Sequence, residues 1–179
     1  MISWFAVAGA VSVLLACGSS PSTSGGARTS TRSPANAAAL AAYIARGDEV
    51  CRAGNEAIAP VNARGAEIER RYAGSPREVA LLVPVLRHGL RDYNRFDKRL
   101  ERIPPPPEEA AAVAGILAGL KRVGTDLERL TGALAAGEPA TVRTIRAELE
   151  TDHIRVSAQE LEFGFKVCGQ PAEHPSIAP

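Results

Sequence analysis

The residues of this chain with the most chemical capacity fall into three sets. These are the carboxylate and imidazole of Glu150 and His153, the cysteines Cys17, Cys51 and Cys168, and an arginine row at Arg87, Arg91, Arg95, Arg99 and Arg102. A Glu-x-x-His pair puts two potential metal ligands on one helix face, and di-iron four-helix bundles use two such pairs with two further glutamates. The second pair is missing here, because the residue three places before His88 is Val85. A solvated or partly buried helix-face histidine is the simpler reading of His153, so no metal site is assigned. Cysteine catalysis needs a free thiolate beside a base, covalent haem needs Cys-x-x-Cys-His, and phosphate cradling needs a glycine-rich loop. None of these is present, so neither catalytic residues nor a cofactor is expected.

The arginine row calls for a different account. A spacing of four keeps successive members adjacent on a helix while the row drifts by about 40° per step. Like charges at that spacing cost a few tenths of a kcal/mol per pair, so something acidic should compensate. One reading is internal pairing with Asp92, Asp97, Glu101 and carboxylates of neighbouring helices. The other is a docking face, with Lys98 beside it, for an anionic partner such as lipid headgroups, a cell-wall polymer or an acidic protein. Over the whole chain 21 basic residues face 20 acidic ones, a balance that offers no global field for nucleic acid.

The chain begins with an uncharged apolar run, Met1 to Ala16. At 16 residues it is short of the roughly 20 needed to span a bilayer and suits the apolar region of a signal peptide. Its end, Leu14-Leu15-Ala16-Cys17, resembles the bacterial lipobox. That resemblance implies a signal peptide over 1–16, a diacylglyceryl group on Cys17, and a domain held at the extracytoplasmic face of the cell membrane; a short uncleaved anchor is the alternative. Two acyl chains suffice for durable attachment. Residues 17–34 continue as a Ser, Gly, Thr and Pro-rich linker without large apolar side chains, a flexible tether reaching roughly 20 to 25 Å. With Cys17 assigned to lipid, Cys51 and Cys168 remain as an even pair in an oxidising compartment, for which a disulfide is the default.

Between tether and tail, residues 35–169 form one domain, and 170–179, with three prolines, form a flexible tail. Apolar residues recur at spacings of three and four, which predicts four helices. The first spans about Ala35 to Tyr72, with a kink or break expected near Ala59 because Pro60 lies inside it. The second opens with Ser75-Pro76-Arg77-Glu78, the pattern of a capping box. Pro104 to Pro107 then force an extended turn. A third helix runs to about Ala136, Gly137-Glu138-Pro139 supplies a C-terminal glycine and a proline start, and a fourth helix spans about Pro139 to Phe163. Short connections favour an all-α, antiparallel up-down four-helix bundle. Counting helix lengths back from the first turn places Cys51 at the same end as Cys168, so one disulfide closes the bundle, and the residues before Cys51 are expected to be an overhang or cap rather than core.

The early Cys51-Arg52-Ala53-Gly54-Asn55-Glu56-Ala57-Ile58, the proline cluster and the closing Glu162-Phe163-Gly164-Phe165-Lys166-Val167-Cys168-Gly169 together resemble small secreted or lipid-anchored proteins of high-GC Gram-positive bacteria. The likeness spans roughly Leu40 to Gly169 and implies an extracytoplasmic helical domain without a stated activity. The expectation is a non-catalytic binding or structural role at the cell surface, with a metal- or cofactor-binding four-helix bundle as the alternative.

Overall fold

The computed structural model describes residues 33–170. The expected signal peptide, Cys17, nearly all of the tether and the tail after Gln170 lie outside the described residues. Helix α1 spans Pro34–Tyr72, α2 Pro76–Glu101, α3 Ala110–Ala136 and α4 Pro139–Phe163, with a single 3-10 turn at Pro107–Glu109. The architecture is all-α with four helices, as the periodicity predicts.

Local chemistry sets each boundary. The Ser33 hydroxyl caps α1 by accepting from the Asn36 N–H at 3.2 Å, and Pro34 occupies the first turn, where its missing N–H costs nothing. The expected break near Ala59 does not occur, since α1 continues unbroken through Pro60. Pro60 and Glu56, whose carbonyl loses its donor, are both exposed, so water can satisfy that carbonyl. The capping box expected at the start of α2 is not made. Glu78 Oε2 accepts from the Gly74 N–H at 2.7 Å, one residue before the cap, the Ser75 N–H goes to the Tyr72 carbonyl, and the Ser75 hydroxyl makes no capping bond. The proline cluster is extended as far as Pro106, after which Pro107 opens the 3-10 turn. Gly137 ends α3 at φ +71°, its N–H bonded to the Leu134 carbonyl at 3.1 Å and the Glu138 N–H to that of Ala133 at 3.0 Å. This paired closure requires a left-handed residue, which explains the glycine.

The helices pack in chain order, α1 on α2, α2 on α3 and α3 on α4. The short turns make neighbours antiparallel. One core cluster joins Tyr43, Leu100, Val113, Ile116, Val156 and Phe165 with the cysteines, and a second at the other end joins Val83, Leu130, Leu134, Val142 and Ile145. Tyr43 corrects one expectation. The residues before Cys51 are neither overhang nor lid, because Tyr43 is only 1% exposed and belongs to the main core. Two rings at and beyond the end of α4 fold back over it: its centroid lies 5.9 Å from that of Phe163 and 6.1 Å from that of Phe165. Helix lengths alone do not register this aromatic volume, since it belongs partly to chain that has left the last helix.

Cys51 and Cys168 are joined as expected, with Cα atoms 5.3 Å apart at a sequence separation of 117. Among the described residues no helix is long and apolar enough to cross a membrane.

Candidate docking face and buried closure

After Gly164 the chain leaves α4 with a run of N–H groups that no helix satisfies. Asp48 receives them. Its carboxylate accepts from the Lys166 N–H at 3.0 Å, the Val167 N–H at 2.8 Å and the Cys168 N–H at 3.3 Å. Bonds to an ionised acceptor are stronger than neutral ones, so this one buried side chain fixes the path of the closing segment and brings Cys168 over Cys51. Glu160 lies against the same closure and is only 4% exposed. Burial first, and the nearby charge of Asp48 second, push its carboxyl up to about 7. One Glu160 oxygen and the two sulfurs lie within 4.8 Å of one another. Both sulfurs are already bonded to each other, so the trio offers one acidic group and no chelating set. Gly169 completes the closure at φ +74°, where an added Cβ would stand 2.6 Å from the Ser157 carbonyl oxygen.

Neither Asp48 nor Glu160 stands out by residue type, but spacing marks both as inward. Asp48 is four residues after Ile44 and three before Cys51; Glu160 is four after Val156 and three before Phe163. An acid on an apolar helical row is the signal that could have found them.

Glu150 and His153 are both exposed. Asp152 between them serves arginines instead, with Arg155 at 2.9 Å and Arg122 at 3.7 Å. The structure therefore does not gather the Glu-x-x-His pair into the bundle interior, where a di-metal centre would have to be built.

The arginine row fares differently. Helix α2 buries Leu82, Val83, Gly89, Asp92 and Leu100. At 100° per residue, Arg91, Arg95 and Arg102 lie opposite that seam, flanked by Arg87, Lys98 and Arg99. All six side chains are exposed. Only one of the three anticipated acids on this helix compensates them: Asp92, buried itself, pairs with Arg95 and lies 3.3 Å from His88. Arg91 contacts the His88 ring at 3.2 Å. Glu101 is taken by Lys121 of α3 at 2.6 Å. Asp97 turns one carboxylate oxygen inward without a partner, and burial raises its carboxyl, helped by Glu101. Among the described residues no acid pairs with Arg87, Lys98, Arg99 or Arg102.

A contrast lies between α3 and α4. There an open groove of about 310 Å³ is lined by three cations and three carboxylates, and the charges cancel locally. Arg129 bonds Asp126 and Glu148, each at 2.8 Å, and both bonds hold its guanidinium above the usual range. Internal pairing thus accounts for the charges lining the groove between α3 and α4, whereas the outer face of α2 stays positive.

Compared with known proteins, the chain matches no family model, no curated protein and no solved structure.

Proposed function

We propose that this chain is a lipid-anchored extracytoplasmic protein whose helical domain has a non-catalytic binding role, docking phosphate-bearing envelope components through the outer face of α2. The observation that carries this reading is the uncompensated ridge of Arg87, Lys98, Arg99 and Arg102 beside Arg91 and Arg95 on one helix face, in contrast to the groove between α3 and α4, where Lys121, Arg122 and Arg129 are paired with acids. Arginine forks match phosphate oxygens, and a basic side chain near an anionic surface contributes about 1 kcal/mol. The lipobox-like Leu14-Leu15-Ala16-Cys17 supports the address, and the composition of the linker gives the reach for α2 to meet headgroups of the same membrane or a polymer just beyond it.

The test is binding of the Cys17→Ser chain, which takes no acyl groups, to vesicles of phosphatidylglycerol and, separately, to a phosphate-bearing wall polymer. Arg99→Glu with Arg102→Glu should abolish binding at unchanged melting temperature, and added salt should weaken the wild type steeply. Cys17→Ser should move the protein out of a salt-washed membrane fraction. Salt-insensitive binding, binding only to an acidic protein, or a Cys17→Ser protein that stays in the washed membrane would each overturn this assignment.

A further inference from the structure

Helix α4 carries a second stripe on the side away from the core. Thr144, Ala147, Thr151, Ile154, Ala158 and Leu161 follow one another at spacings of three and four, and every one of them is exposed. Ile154 is 61% and Leu161 42% exposed, two of the three large hydrophobic side chains left in solvent among the described residues. The inward positions, Val142, Ile145, Leu149 and Val156, lie on the opposite face, so α4 is apolar on two sides. Alternating threes and fours give the 3.5-residue repeat by which one helix packs along another, whereas an ordinary surface helix is polar there. Helix α3 packs on the inner side of α4, and no described element covers the outer stripe.

The stripe is divided into unlike halves. Its N-terminal half is small, and a shallow hollow of about 570 Å³ opens over Thr144, Ala147 and Thr151, edged by Glu148, Asp152 and Arg155. Its C-terminal half carries the protruding Ile154 and Leu161. We infer that the occupant is a second copy of this chain, lying antiparallel along α4 about a two-fold axis near Asp152 and His153. In that register Leu161 of each copy meets Thr144 of the other, Ala158 meets Ala147, and Ile154 meets Thr151. Each large side chain thus falls on a small one, and each pairing occurs twice, as a self-complementary two-fold interface requires. The flanks agree in sign: Glu148 and Arg155, seven residues apart on one edge of the stripe and paired within the chain to Arg129 and Asp152, come opposite Arg155 and Glu148 of the second copy and extend those pairs across the seam. A parallel pairing instead sets Ile154 on Ile154 and leaves the hollow over Ala147 unfilled.

The seam is roughly 25 Å long, at the small end of specific interfaces, so the dimer is a reversible one. Because α2 and α4 are not neighbours in the bundle, pairing through α4 leaves the arginine face of both copies free.

Sedimentation equilibrium of the full chain in non-ionic detergent should show a monomer–dimer equilibrium. Ile154→Glu should weaken it by at least about tenfold without lowering the melting temperature, since Ile154 touches little of its own domain. The double variant Ala147→Cys and Ala158→Cys tests the register. These positions lie about 16 Å apart along one helix, too far to bridge within a chain, so mild oxidation should yield a peptide joining 147 to 158 between chains. A monomer at all concentrations, a dimer indifferent to Ile154→Glu, or links of 147 to 147 would overturn the inference.

Discussion

Replacing Glu160 by glutamine should make this protein more stable in neutral and alkaline solution while leaving it unchanged in acid. The buried carboxyl has moved from 4.5 to about 7, first through burial and then through the charge of Asp48. Between those two values the folded chain keeps a proton that the unfolded chain releases, so stability falls as pH rises through that window and stays lower above it. The difference corresponds to about 3 kcal/mol of unfolding free energy near pH 8, and to nothing near pH 4, where both states are protonated. Glutamine keeps the shape and carries no charge in either condition. Urea unfolding of both proteins with the disulfide intact isolates the effect, because other titrating groups such as Asp97 and Glu69 cancel in the comparison. The expected outcome is equal stability at pH 4 and a variant ahead by about 2 to 3 kcal/mol at pH 8. A gap that does not change with pH, or a variant weaker at pH 8, would refute the placement of an ionisable burden at this position.

Asp48→Asn should have the opposite sign at pH 8. It weakens three charge-assisted bonds to the closing segment, at a cost of about 2 to 3 kcal/mol, and lowers the Glu160 titration midpoint, which carbon NMR of that carboxyl would follow. Removing both Cys51 and Cys168 as alanines opens a loop closed across 117 positions, worth up to about 5 kcal/mol in the chain-entropy description. The urea dependence should steepen at the same time, because an unlinked unfolded chain exposes more surface.

Much of this fold is written in punctuation. Gly137-Glu138-Pro139 specifies where α3 stops and α4 starts because a left-handed residue and a donor-free first turn suit few other residues, and the Ser75-Pro76 start of α2 is similarly local. The joining of Cys51 to Cys168 follows from bundle geometry at the resolution of helix lengths. Pro60 was harder to read: a missing N–H is best tolerated where the orphaned carbonyl finds water, and exposure is a tertiary property. Tyr43 was obscured for a related reason, since its cover comes from Phe163 and Phe165, more than a hundred positions away. Asp48 and Glu160 were hidden by residue type, as acids on helices are ordinarily solvated. The arginine row was legible, but its compensation was not. Whether Asp97 and Glu101 turn toward it depends on Lys121 of α3 and on the burial of Asp97, which the sequence of α2 does not contain.

The covalent link between Cys51 and Cys168 also determines how the domain responds to tension. A pull applied between residues 33 and 170 travels along α1 to Cys51, crosses the sulfur bridge, and leaves by the two residues after Cys168. Only about twenty residues can be drawn out, roughly 70 Å of contour at about 3.5 Å each, against nearly 500 Å for the same span without the bridge. Most of α1 and all of α2, α3 and α4 lie in the slack branch of that circuit. The basic ridge on α2 and the outer stripe of α4 therefore carry none of the load, which falls instead on the segment holding Tyr43 and Asp48.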